Sequence, residues 1–127
     1  RPTVADLGSP EWAEEAGPAW SRLPPAPGAE GSVSLGVAVA PRRETAIHWR
    51  YQDGQVVEGG PGPNPGESSL SLTLALADAA EVFAGSVPPS VAFMRGRLKA
   101  SGDGRLLLAF LRSTTEDGFE DWRAQLV

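Results

Sequence analysis

The sequence predicts an α+β domain, a five-stranded and mostly antiparallel sheet covered by helices on one face. Three observations carry that prediction. Runs with a strict period of two, the mark of half-buried strands, occupy 33–40, 47–52 and 70–76. Asp53-Gly54 is a tight hairpin signal that makes the strands around it antiparallel neighbours. Helix-start signals frame the strands and cluster in the second half, an order that segregates helices to one side of a sheet. A length of 127 residues suits one hydrophobic core, so 1–127 is read as a single domain.

The elements follow in order. Ser9-Pro10-Glu11 places a capping Ser before a first-turn Pro, with Glu11, Glu14 and Glu15 at the positive end of the helix. Trp12, Ala16, Ala19 or Trp20, and Leu23 form its apolar stripe, Gly17-Pro18 is expected to weaken or kink it, and the run from Pro24 to Gly28 ends it. Val33, Leu35, Val37 and Val39 alternate with Ser34, Gly36, Ala38 and Ala40, a second face so small that something is expected to pack close against it. Ile47, Trp49 and Tyr51 alternate with His48, Arg50 and Gln52, and 55–58 is the return strand of the hairpin. The run from Gly59 to Gly66 is a loop that no regular element crosses. Leu70, Leu72, Leu74 and Leu76 make a fourth strand.

Asp78-Ala79-Ala80-Glu81 resembles a capping box and opens a helix through Phe83 to Gly85. Pro88-Pro89 starts another that carries Val91, Phe93 and Met94 to Gly96, and 97–100 fits a fifth strand. After the turn at 101–104, Leu106 to Leu111 is apolar all round, so it is expected to be covered or to face a cavity. Phe119, Trp122, Arg123 and Leu126 stand at i, i+3, i+4 and i+7, an amphipathic last helix.

Composition narrows the function classes. Of the 41% hydrophobic residues, 18 side chains are Ala, which leaves enough large apolar groups for one sheet and its helices. A net charge of −5 argues against a nucleic-acid binder or a polybasic membrane anchor. There is no cysteine, which excludes disulfide scaffolds, thiol catalysis and cysteine-ligated metals. No apolar run reaches the ~18 residues of a membrane span and no signal peptide opens the chain, so a soluble, cytoplasmic domain without stable membrane insertion is expected. Ten of the eleven basic residues are Arg, a bias of high-GC bacterial coding.

Catalytic signatures are missing. There is no G-x-S-x-G elbow, and His48 is the only histidine, so neither a triad nor a two-histidine metal site is supported. Pro61, Pro63 and Pro65 lack the N–H donors with which a glycine-rich loop cradles phosphate. Glu116, Asp117, Glu120 and Asp121 begin a helix, where acids belong. No catalytic residue, metal ligand or cofactor is assigned.

The run Val91-Ala92-Phe93-Met94-Arg95-Gly96-Arg97-Leu98-Lys99-Ala100-Ser101-Gly102-Asp103 resembles the sterol carrier protein (type two) family, whose members show a helix ending in Phe-x-x-Gly, a basic-Leu-Lys strand, Gly-Asp or Gly-Asn, and a leucine-rich helix. Ser69 to Leu74, followed by Ala79 to Gly85, resembles that family's preceding strand and helix. The match covers 68–112; from 31 to 58 it is an agreement of strand order. This chain departs from the family at Gly104-Arg105 and ends Gln125-Leu126-Val127, without a Ser-Lys-Leu peroxisomal signal. The resemblance implies a non-enzymatic domain with an apolar tunnel between sheet and helices, binding a fatty acid, acyl-CoA, sterol or related lipid.

The expected ligand-binding residues are Leu72, Leu74, Phe93, Met94, Leu107, Phe110 and Leu111, with Trp122 and Leu126 near the opening and the final helix as lid. Arg97, Lys99 and Arg105 are the candidates for a carboxylate or phosphate headgroup, with pairing to the acidic final helix as the structural alternative. The alternatives are an enzyme acting on a hydrophobic biosynthetic substrate in the same pocket, or an accessory domain of a larger enzyme. A partner enzyme or a homodimer is the corresponding macromolecular expectation.

Overall fold

The computed structural model describes residues 6–125. Helix α1 (Pro10–Trp20) leads into β1 (Gly31–Ala40), β2 (Arg43–Gln52), β3 (Gln55–Pro61) and β4 (Leu70–Ala75), then α2 (Leu76–Phe83), α3 (Pro89–Met94), β5 (Lys99–Gly102), α4 (Gly104–Ser113) and α5 (Asp117–Arg123). The sheet order is β3-β2-β1-β4-β5. Only β1 and β4 run parallel, with Leu35 opposite Leu72 and Val37 opposite Leu74; the other three pairings are antiparallel. The expected α+β sheet, five-stranded and mostly antiparallel, is the one observed.

Local chemistry explains most boundaries. Ser9 Oγ accepts from Trp12 N at 3.1 Å, capping α1 as predicted. Asp53 and Gly54 both have positive φ, 52° and 78°, the primed turn that matches strand twist. Pro89 opens α3. Asp103 caps α4, its Oδ1 accepting from the backbone N–H of Arg105 at 2.9 Å and of Leu106 at 3.3 Å.

The parallel β1–β4 pairing has a consequence for the proline-rich connection. β3 and β4 are separated by β2 and β1, so 62–69 must cross the sheet. It does so on the face away from the helices: Gly62 O meets His48 Nδ1 at 3.0 Å, Asn64 N donates to Ser34 Oγ at 3.4 Å, and Ser34 and Ser68 share a 2.6 Å hydroxyl contact. On the small face of β1, Ser34 is the bed for this loop, and the Glu44 side chain of β2 lies over Gly36, the close packing that the Ser/Gly/Ala alternation anticipates.

The opposite face is the core. Val33, Leu35 and Val37, Ile47, Trp49 and Tyr51, and Leu70, Leu72 and Leu74 are all buried beneath the helices. Aromatic rings fill much of the layer: Trp20 stacks on Trp49 at 4.6 Å, and Trp20 meets Trp122 edge-to-face at 4.8 Å.

Helix α1 runs on through Gly17-Pro18 to Trp20, with Trp12, Ala13, Ala16, Ala19 and Trp20 buried on one side. Four expectations are corrected. Strand β3 continues through Gly59-Gly60-Pro61, in place of the start of the expected loop, because these residues pair with 47–49 of β2. Strand β5 spans Lys99–Gly102 rather than 97–100, since Ser101 and Gly102 pair with Ser71 and Leu70. Leu76 is the first residue of α2, not the last of a strand, because β4 runs straight into the helix with Ala75 as N-cap. Asp78 therefore lies in the first turn, caps nothing with its side chain, and pairs with Arg97 instead. Finally, 106–111 is not covered all round. Leu106, Phe110 and Leu111 are buried, whereas Leu108 faces outward and is 66% exposed.

Candidate functional site

Between the core face of the sheet and the helices lies a cavity of about 30 Å³. Its floor is Leu35 from β1 with Leu72 and Leu74 from β4, neighbours because the parallel pairing sets these strands side by side. Its walls are Val82 and Phe83 of α2, Pro89 of α3, Leu98 and Phe110. Trp20 at the end of α1, with Phe119 and Trp122 of α5, closes it. The side chains around it are apolar apart from the indole N–H groups of the two tryptophans.

Of the sequence-predicted residues, Leu72, Leu74, Phe110 and Trp122 meet at this cavity. Leu111 is buried in the core but off the lining, Phe93 and Leu107 are half-buried on its periphery, and Met94 is 82% exposed at the end of α3. Leu126 lies outside the described residues. Sequence reasoning missed Trp20, Leu35, Val82, Phe83, Pro89, Leu98 and Phe119; those on β1 and on α1, α2 and α5 stand on the apolar side of their element, a pattern that marks core residues without showing which of them converge.

The headgroup candidates are all on the outside. Arg97 Nη1 pairs with Glu81 at 3.0 Å and Asp78 at 3.3 Å, Lys99 Nζ donates to Gly96 O at 3.0 Å, and the Arg105 side chain is exposed. None of them lines the cavity. His48 sits on the loop-covered face of β2, away from it. Among the described residues, no cluster of His, Asp and Glu could hold a metal ion.

Helix α5 is fastened at two points. Trp122 Nε1 donates to Ala19 O at 2.8 Å, and Arg123 Nη1 donates to Phe83 O at 2.7 Å. The final helix is thereby tied to the C-terminal ends of α1 and α2, across the cavity it closes. Other buried donors are less well served: the indole N–H groups of Trp12, Trp20 and Trp49 and the Tyr51 hydroxyl have no hydrogen bond of good geometry. Burial pushes the Tyr51 phenol well above its ordinary range, an effect only partly offset by the neighbouring Trp49 and Ser113 side chains, so it stays neutral.

No helix among the described residues is long and apolar enough to cross a membrane. No family model and no curated protein sequence matches the chain. Solved structures do. A conserved hypothetical protein of Thermus thermophilus, described as possibly a sterol carrier protein, superposes with a TM-score of 0.68 at 20% identity over 98% of this chain and 93% of its own. A crystal structure of sterol carrier protein 2 gives 0.66 at 22% identity, over 94% of this chain and 98% of that one. The solution structure of palmitated sterol carrier protein 2-like 2 from Aedes aegypti gives 0.63 at 14% identity, over 87% and 96%. These superpositions, each above a TM-score of 0.6 over most of both chains, show that the chain has the fold of sterol carrier protein 2.

Proposed function

We propose that the domain binds, and hands on, a small hydrophobic ligand of the fatty-acid, acyl-CoA or sterol class in the space between sheet and helices. The observation that carries this is the cavity itself: apolar side chains from every layer converge on it, and α5 closes it with two hydrogen bonds. The palmitated Aedes protein of the same fold is a precedent for the ligand class. With no cation on the lining, affinity rests on the chain or ring system rather than on a headgroup.

The magnitude suits a carrier. Burying about fourteen methylenes at ~0.8 kcal/mol each contributes ~11 kcal/mol. Association costs of at least ~4 kcal/mol leave no more than ~7 kcal/mol, a Kd of about 10 μM or weaker. Such a complex releases its cargo readily.

Native mass spectrometry with lipid extraction identifies the cargo, and calorimetric titration with palmitate and a sterol measures the affinity. Phe110→Trp, which grows into the cavity, should weaken binding at least tenfold while thermal melts show a folded protein. No co-purified lipid and no heat with either ligand would overturn this reading and leave the aromatic layer as plain core.

A further inference from the structure

The outer face of α4 carries Arg105, Leu108 and Arg112 at i, i+3 and i+7, so their side chains share one stripe of the helix. All three are exposed. Helix α3, which packs against α4, ends on Met94 and is followed by the exposed Arg95. Met94 and Leu108, at 82% and 66%, are the most exposed large hydrophobic residues of the described chain. Among the described residues, Arg95, Arg105 and Arg112 enter no ion pair, in contrast to Arg97.

Charge is segregated in the same way. Residues 94–113 hold five of the eleven basic residues and one of the sixteen acids, Asp103, whose carboxylate is taken up as the cap of α4. Arg97 is paired with Asp78 and Glu81 of α2, which leaves Arg95, Lys99, Arg105 and Arg112 as the cations of this side without an ion pair among the described residues. The remainder of the molecule is strongly acidic. An anionic surface would therefore attract this side and repel the others, fixing one orientation of approach.

We propose that the α3–α4 side of the domain docks on an anionic lipid bilayer. Arg95, Arg105 and Arg112 reach the phosphate level while Met94 and Leu108 enter the headgroup–acyl boundary. An exposed helix stripe with guanidinium groups on both sides of an apolar residue matches a plane that is charged at its surface and apolar just beneath. An acidic protein segment would satisfy the arginines but leave Leu108 and Met94 without a use. On the carrier reading this surface is where cargo is exchanged, because α4 presents Phe110 to the cavity from its inner side; the docking itself does not depend on any ligand.

Flotation with vesicles of phosphatidylcholine alone, and of phosphatidylcholine with phosphatidylglycerol, tests the proposal on the full chain. Binding is expected only to the anionic vesicles and should fall as salt rises. Arg105→Gln and Arg112→Gln should each weaken it about fivefold, corresponding to ~1 kcal/mol per surface-level cation. Leu108→Ser should weaken it further, and Arg42→Gln, on the β1–β2 turn, should leave it unchanged. Melting temperatures of these surface variants should match the parent protein. Equal binding to both vesicle types, no binding to either, or full binding by Arg105→Gln/Arg112→Gln would each overturn the proposal. Tight binding to polyglutamate that competes with the vesicles would do so too, in favour of an acidic protein partner. Because the vesicles contain no added cargo, and palmitate titrations need no vesicles, failure of the docking surface and failure of the carrier reading appear in different measurements.

Discussion

Replacing Trp122 with Phe should loosen α5 selectively. The indole N–H is bonded to Ala19 O at 2.8 Å across 103 positions of sequence. Ala19 O also accepts from Arg22 N at 2.9 Å, so Phe does not strand the carbonyl and the loss is that of one net hydrogen bond, ~1 kcal/mol. The smaller ring gives up part of the edge-to-face contact with Trp20, worth about another 1 kcal/mol. A total of ~2 kcal/mol makes the detached state of α5 about 30-fold more populated, within the ~5–15 kcal/mol stability of a folded domain. Amide hydrogen exchange is the assay. In the parent protein the amides of α5 should exchange well before those of β1 and β2 and with little dependence on urea, the behaviour of a local opening. In Trp122→Phe the α5 amides should exchange about 30-fold faster, and the ligand on-rate should rise by a similar factor. If α5 exchanges only with the sheet, at the same free energy and the same urea dependence, it is part of the global unit and cannot be the gate.

Two further outcomes follow from individual side chains. Tyr51→Phe removes a buried hydroxyl that has no good partner, so stability at neutral pH should be unchanged or raised by ~1 kcal/mol. The parent should lose stability as pH climbs above ~10, because the unfolded phenol ionises there while the folded one is held protonated. Below that pH the contribution is fully present; the variant should lack the decline. As Tyr51 is the only tyrosine, phenolate absorbance checks this directly, and ionisation near pH ~10 in the folded protein would refute it. Gly59→Ala places a Cβ 2.9 Å from both the Ser21 nitrogen and the Trp20 carbonyl carbon, so β3 must move off the end of α1 at a cost of about 1–3 kcal/mol in urea denaturation.

The parts of the fold that were legible in sequence are those where one local signal decides the outcome. Alternation along 33–40 and 47–52, the primed turn at Asp53-Gly54, the Ser9 cap and Pro89 at a helix start each have a single cheap solution. The misreadings occurred where two solutions share a pattern. Leu76 continues the alternation of Leu70, Leu72 and Leu74, and no capping side chain announces that the helix has begun. Leu106 to Leu111 is apolar at every step, yet a helix has an outside, and Leu108 falls on it. The candidate site was half legible for a related reason. Leu72, Leu74, Phe110 and Trp122 lie on predicted core faces, and so do Leu35, Phe83 and Trp20, but only the β1–β4 pairing and the run of α1 across the sheet show which of these meet. Arg97 stood as a headgroup candidate, with the acidic final helix as the alternative partner, because the acids it does pair with, Asp78 and Glu81, lie 19 and 16 positions upstream on α2.

A cavity of about 30 Å³ is roughly tenfold or more below the ~300–1,000 Å³ of a typical ligand site. On the carrier reading, the domain has to open before it can load. The floor cannot yield, since Leu35, Leu72 and Leu74 stand on strands held by ladders on both sides. Helices α2 and α3 are bound to the same end of the sheet through the Arg97 pairs and the backbone bonds from Arg97 and Leu98 to Ala92 O. What remains is α5, seven residues fastened chiefly by Trp122 and Arg123, and it supplies two of the three rings that close the cavity. Moving it outward removes Phe119 and Trp122 from the filled space, leaving room bounded by Trp20 and Phe110. Three residues, 114–116, join α5 to α4, so a lipid surface that holds the outer face of α4 would bring the detached helix to the place where its exposed aromatic rings are least costly. Docking and opening are then one linked equilibrium: anionic vesicles should raise α5 exchange in the parent protein and fail to do so in Arg105→Gln/Arg112→Gln, and unchanged α5 protection on saturating vesicles would separate the two events.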